Sequence, residues 1–471
     1  MFTTYMRVNS TNMFSSFLLL LSPVLLQDQE RDPVGRVTAY RLDHVETLQG
    51  DALEKVVILV RDGMIERIGQ AVIVPRGAEV VDLRGKGATA MPPFVLSHAT
   101  SLQTATRGRG RNAKYRGIDT VWLSKEDTLK DYLERGVLLA SIDPPGSGFP
   151  GRTSVVRTTA SLPVPEALVD DLHLKVTVEA NRSAMELLRS AFKDADSAIE
   201  KEKQAKLDWE KARKEWEEKQ KSKAEEAKKK DSEKKEAGKD GGKDGAAKDA
   251  DGKDADGKNG KDGKEEDKEP PKEFTPPKID ANLEPILDWV RKERVAQVWL
   301  DSASEWVHWQ DVLKDQELSW ELVLSHGSSH NFHEVIDDIA QAGVRVDIPA
   351  QIAKQTRYTR IRINLAAELV AAGLEKLILR PSRSGVRGVD SWRVGVAALV
   401  REGLDRQIAL KAMTLEPAAS IGQEEIVGPL IVGAAANFII LDGDPLDPLA
   451  EVLMVIEDGK RVYDREKEED R

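Results

Sequence analysis

Residues 125–140, Lys125-Glu126-Asp127-Thr128-Leu129-Lys130-Asp131-Tyr132-Leu133-Glu134-Arg135-Gly136-Val137-Leu138-Leu139-Ala140, change period once. Up to Arg135, the apolar residues Leu129, Tyr132 and Leu133 fall on one face of a helix. From Gly136 the chain becomes an unbroken apolar run, the pattern of a strand buried on both faces. Phe94 to Leu96, upstream, is another short apolar strand. Strand, helix, strand is the signature of a βα unit. The alternation resumes downstream, with expected strands at 295–300, 320–324, 344–348 and 377–379. Helical periods are expected at 332–342, 364–372, 392–403 and 406–414.

The flanks read differently. Val56 to Val60 is β-branched and apolar, and Arg61-Asp62-Gly63-Met64 turns it back into Ile65-Glu66-Arg67-Ile68. An Asp-Gly pair between apolar runs is a hairpin signal. Strands return from Gly428 onward, with a second turn at Glu457-Asp458-Gly459-Lys460. The expected fold class is α/β: a (β/α)8 TIM-like barrel plus a small composite β-sandwich built from the N- and C-terminal segments. The expected units begin with an export signal at 1–30, a first sandwich segment at 36–90 and a first barrel segment at 91–195. A charged insertion at 196–277, a second barrel segment at 278–422 and a closing sandwich segment at 423–471 follow.

The insertion is helical and charged, then Lys, Asp, Gly and Glu up to paired prolines. Trp209 and Trp216 lie seven apart and share a helical face that is expected to pack on the body. The Lys-Asp-Gly run has too little apolar surface to offset its chain entropy and is expected to be disordered. At the N-terminus, Arg7 precedes an apolar run from Phe14 to Leu26, too short for a comfortable membrane span and fitting a signal peptide. A start at Met13, or retention of the run as an anchor, are the other readings. Export to the periplasm or the extracellular space is the expectation.

There are no cysteines, so disulfides, thiolate metal sites and Cys nucleophiles are excluded. The formal net charge is −11 and the aromatic content 5%, so neither a basic nucleic-acid footprint nor a stacking surface is present. The loop from Pro144 to Gly151 lacks the ending of a phosphate loop. Arg107-Gly108-Arg109-Gly110-Arg111 is basic and flexible, and reads as a solvated loop or, less simply, as a holder of an acidic ligand.

Three segments resemble the amidohydrolase superfamily, in its imidazolonepropionase-like branch. They are Val57 through Lys86, Leu410 through Gly422, and Gly428 through Val462 with its Leu441-Asp442-Gly443-Asp444-Pro445-Leu446. The resemblance implies a hydrolase of cyclic or linear amides. One or two divalent metals, zinc foremost, would sit at the carboxyl ends of barrel strands, where they activate water and polarise a carbonyl. It implies a His-x-His pair after strand one, often a carboxylated Lys, one His each after strands five and six, and an Asp on strand eight that shuttles the proton. Here Ser97-His98-Ala99-Thr100 keeps the first His and replaces the second by Thr100. Asp301 stands near the strand-five position, and His326 keeps the strand-six one. Leu379-Arg380-Pro381 offers no carboxylate on strand eight, and Asn437 replaces a structural Asp of the sandwich.

Two readings stay open on this sequence. One is a retired metal centre that takes no metal, or one divalent ion at most. The protein would then be non-catalytic or weakly active, and would act as a binding protein or as a partner of an active homologue or of itself. Arg380 would place a cation where a metal belongs and favour an anion. The other is a divergent metal hydrolase with ligands His98, Asp301 and His326, with His330 as a weaker addition. His330 and His333 also read simply as solvent-facing residues of the following helix. A third role, recruitment of a partner by the charged helix, is open as well.

Overall fold

The computed structural model describes residues 37–99, 102, 108–121, 126–160, 166–236, 271–314, 316–325, 331–352, 354, 355, 358 and 360–469. The expected signal peptide, Thr100, His326, His330 and most of the Lys-Asp-Gly run lie outside the described residues.

The two ends of the chain meet in one eight-stranded sheet. Val37–Val45 pairs with Leu53–Arg61, which turns into Met64–Gly69 through Asp62 and Gly63, both at positive φ (49° and 82°). Two positive φ values in a two-residue turn match the right-handed twist of the flanking strands, which is why Asp-Gly stands there. Phe438–Leu441 then pairs with Thr89–Met91, so C-terminal strands complete an N-terminal sheet. Ile58 and Val60 are buried on one face with Tyr40 and Phe438, while Leu59 is buried on the other with Val37 and Ala39. Asn437 takes up the polar groups of the nearby turns: its amide donates to the Ile426 carbonyl and its oxygen accepts from the Asp458 N–H.

The middle of the chain supplies two further sheets. We label their principal strands β1 (Phe94–Leu96), β2 (Val137–Ile142), β3 (Ser154–Arg157), β4 (Leu174–Thr177), β5 (Ala296–Leu300), β6 (Trp320–Leu324), β7 (Val346–Pro349) and β8 (Leu377–Arg380). β1 and β2 run parallel, as do β4, β5, β6, β7 and β8 in sequence. Among the described residues the ladders do not form one closed all-parallel cylinder. β3 runs antiparallel to β2, because the connection between them is short and holds Gly and Pro where a parallel crossover needs a dozen or more residues. Short strands Gly146–Phe149 and Gly151–Arg152 replace the expected loop there, and Gly108–Arg111 pairs with the first of them. Arg111 is tied down by Asp194 and Ser190 rather than solvated.

The expected 125–135 helix forms over Glu126–Glu134, with Tyr132 and Leu129 buried. It stops at Gly136, whose φ is +78°. A Cβ at Gly136 would lie 2.9 Å from the Ile439 side chain, so strand β2 begins where only glycine fits against the end sheet. Behind the parallel strands, Trp289, Trp306, Trp309 and Trp392 are almost wholly buried, two of them donating indole N–H to the Ser319 and Leu379 carbonyls. Losing one such side chain to Ala costs about 3–5 kcal/mol.

The charged helix is longer than the sequence suggested, Arg182–Glu236, 55 residues and so about 80 Å. Met185, Leu188 and Phe192 anchor its first turns in the core. Trp209 meets a strap of this insertion rather than the body of the protein: its N–H donates to the Pro271 carbonyl at 2.8 Å, and its ring lies 6.0 Å from Phe274. Trp216 lies under Arg213. Among the described residues no helix is long and apolar enough to cross a membrane.

Candidate functional site

Parallel strands covered on both faces are almost uniformly apolar, so a charge within one has to find a partner inside the protein. Four of these strands carry such a charge within them or just after their last residue. Asp143 follows β2, Lys175 lies in β4, Asp347 in β7 and Arg380 ends β8. His98 follows β1, two residues beyond its end. All five are buried, and the structure joins them into one chain of contacts.

His98 is at the centre, with its side chain 2% exposed. Its Nδ1 lies 3.4 Å from Asp143 Oδ1 and its Nε2 3.2 Å from Asp347 Oδ2. Neither contact has the alignment of a full hydrogen bond, and we treat both as ion pairs. The other oxygen of each carboxylate is held by a fixed cation. Lys175 Nζ donates to Asp143 Oδ2, and Arg380 donates to Asp347 Oδ1 at 2.5 Å. Arg380 also donates from its two Nη atoms to the carbonyls of Leu324, Ser325 and Asp347. The Trp299 indole from β5 faces all three basic groups. The Lys175 ammonium is 4.3 Å and the Arg380 guanidinium 5.6 Å from its ring, and the His98 ring meets it edge-on at 4.6 Å. Cations against a desolvated indole face gain about 2 kcal/mol.

The electrostatics follow from this wiring. Burial opposes the charged form of His98, but the two flanking carboxylates outweigh it and raise the imidazole above its ordinary value. Burial likewise opposes ionisation of Asp143 and Asp347. Lys175 and His98 nevertheless hold Asp143 far below the usual carboxylate range, and Arg380 and His98 lower Asp347. Below the cluster, His173 is buried and neutral, pushed down to about 3 by burial and by the nearby charges of His98 and Arg345. In the same layer Arg345 lies 3.4 Å from Glu321 and 3.6 Å from Glu416, and burial raises both carboxyls.

Of the residues singled out in the sequence, His98 and Arg380 are brought into one cluster, with Asp347 between them. Arg380 is a neutralised structural cation rather than an open anion hook. Asp301 lies beyond the end of β5 with its side chain exposed, and its backbone N–H is taken by Glu305 at the start of the next helix. The inward residue of β5 near this level is Trp299. His333 lies in a short 3₁₀ turn, half-buried. Asp143, Lys175, Asp347 and Trp299 were missed. Their signal was present as one charge, or one large aromatic, in each otherwise apolar strand.

These donors do not fit a divalent metal. Asp143 and Asp347 approach His98 from its opposite nitrogens, so they do not converge on one point outside the ring, and each already neutralises a fixed cation. An ion there would sit against Lys175 and Arg380. Among the described residues no group of three or more His, Asp or Glu side chains is placed to hold a metal.

Fold and site together define a mixed α/β protein with a buried ionic cluster among its central strands. No family model matches the sequence, and no curated protein does. Among solved structures, an amidohydrolase from Thermotoga maritima MSB8 superposes with a TM-score of 0.63 at 18% identity, over 91% of this chain and 100% of that one. A β-aspartyl dipeptidase from Fervidobacterium islandicum AW-1, solved with β-Asp-Leu dipeptide, gives 0.44 at 14% identity over 91% and 97%. The first likeness shows that the chain has an amidohydrolase fold; the second is too distant to argue from.

Proposed function

We propose that this chain is an amidohydrolase-superfamily protein that has given up metal-dependent C–N hydrolysis and acts as a binding protein or partner subunit. The observation that carries the reading is the pairing of Asp143 with Lys175 and of Asp347 with Arg380 around a doubly paired His98. Positive charge that a metal would bring to the strand ends is here supplied by side chains. Unlike a metal, these cations carry no exchangeable water whose pKa they lower. Strand β8 ends in Arg380 where the resemblance implies the proton-shuttling Asp, which removes the second requirement of the family chemistry. The same proposal includes an eight-unit barrel ancestry for β1 to β8 and export of the mature chain.

The test is elemental analysis of protein purified without chelators, for the wild type and for His98→Ala. Less than about a tenth of an equivalent of zinc, manganese, iron or cobalt, before and after incubation with each ion, supports the reading. About one ion per chain, lost in His98→Ala and accompanied by hydrolysis of cyclic amides or dipeptides, overturns it in favour of a divergent hydrolase.

A further inference from the structure

We infer that a groove between the helix Val386–Arg401 and the end sheet is a binding site for one small monocarboxylate with an apolar body. Phe94, the first residue of β1, lines this groove, whereas His98 lies beyond the other end of the same strand. About 13 Å of extended chain separates the two, so the groove is distinct from the ionic cluster and stands whether or not a metal binds there. The helix forms one wall and the segment from Pro448 to Val452 the other, around a cavity of about 420 Å³. That volume is within the range of small-ligand sites.

The first argument is Arg393, which lines the cavity half-buried. Among the described residues every other arginine that is not exposed has a carboxylate within ion-pairing distance, and Arg393 has none. It donates instead to the carbonyls of Pro445 and Asp447, both at 3.4 Å, and of Ala450. Carbonyls satisfy N–H groups but bring no counter-charge, and 3.4 Å is long for a hydrogen bond. Asp442, Asp447 and Glu451 act on Arg393 only from further away. Asp442 and Glu451 are engaged by Arg465, and Asp447 accepts the Leu449 N–H. A guanidinium offers five N–H donors in a planar fork that matches a carboxylate. The second argument is the shape of the apolar lining. Phe94 and Trp392 are almost wholly buried at the cavity, while Leu449 leaves 85% of its surface in solvent beside them. A ligand with an apolar body removes that leucine from water. Glu134, Asp390 and Glu451 also line the cavity, so a dianion such as phosphate would meet repulsion that one guanidinium does not offset.

The experiment is calorimetric titration of the full-length chain with 4-methylpentanoate and phenylacetate, with their neutral amides and with phenylphosphonate, before and after chelation. Saturable binding of an acid is expected, about tenfold or more tighter than its amide and than the phosphonate, and unchanged by chelation. Arg393→Gln should weaken it about tenfold or more. Arg393 also holds the turn from Pro445 to Ala450, so Leu449→Asp is the second variant. The residue is exposed and the fold is kept, while the added carboxylate should weaken acid binding about tenfold relative to Leu449→Asn. Acids that do not saturate, amides that bind as well as acids, a phosphonate that binds tighter, or a Leu449→Asp protein that binds like Leu449→Asn each overturn the inference. None of these outcomes touches the proposed function, which stands or falls on metal content alone.

Discussion

Lys175→Met keeps the length and volume of the side chain and removes its charge. Lys175 is 10% and Asp143 1% exposed at their side chains, so solvent cannot take the place of the ammonium. Leaving one member of such a buried pair unpaired costs about 3–5 kcal/mol. The lost contact of the ammonium with Trp299 at 4.3 Å is included in that figure. The companion Asp143→Asn should cost a similar amount. The double variant should recover some of the loss, because both ends of the pair are then neutral, giving a coupling of about 1–3 kcal/mol in the cycle. Urea unfolding followed by tryptophan fluorescence and circular dichroism reads this as a fall in midpoint at constant slope. A Lys175→Met change below about 0.5 kcal/mol, the range of ordinary surface substitutions, or strict additivity in the double variant, would refute the cluster as a coupled unit.

The raised His98 contributes stability that is fully present below its unfolded value of about 6.5 and is lost as pH climbs through the folded value. His98→Gln should therefore flatten the alkaline side of the stability–pH curve measured by denaturant unfolding. His173 has the opposite sign. Its value is depressed to about 3, so the unfolded chain takes up the proton first and stability is lost as pH falls from about 6.5 toward 3. His173→Leu should make that acid limb shallower in the same assay. Gly117→Ala would drive a Cβ into the Ile142 carbonyl oxygen, just before Asp143. It should lower stability by about 1–3 kcal/mol or prevent folding, read as loss of the cooperative thermal transition.

Much of the architecture was legible because its signals are local. The Asp62-Gly63 turn, the switch of period at Gly136 and the apolar runs of β5, β6 and β8 each announce one element. The antiparallel β3 was not legible as such. Whether a chain reverses beside its own strand or crosses to a parallel place depends on connection length, and the Pro144 to Gly151 stretch reads equally well as a loop. The site was half legible. His98 and Arg380 stood out against the family pattern, whereas Asp143, Lys175 and Asp347 are meaningful only as a set. Each alone is a charge in a strand, and pairing across two sheets is set by tertiary register. Asp301 was misleading for a related reason: the strand stops at Leu300, and the next helix claims the residue's backbone.

The sheet shared by the two chain ends bears on when the protein can fold. Ala90 pairs with Ile440, and at synthesis rates of about 5–20 residues per second the ribosome needs roughly 20–70 s to make the stretch between them. Throughout that interval Thr89–Met91 has its Val37–Val45 neighbour but lacks the Phe438–Leu441 strand that closes its other side. An open strand edge is a template for pairing with another chain. The nascent protein therefore carries a sticky edge until Phe438–Leu441 emerges. Loss of the final strands, through a premature stop or C-terminal clipping, would turn the edge into a permanent site for aggregation even with the ionic cluster intact.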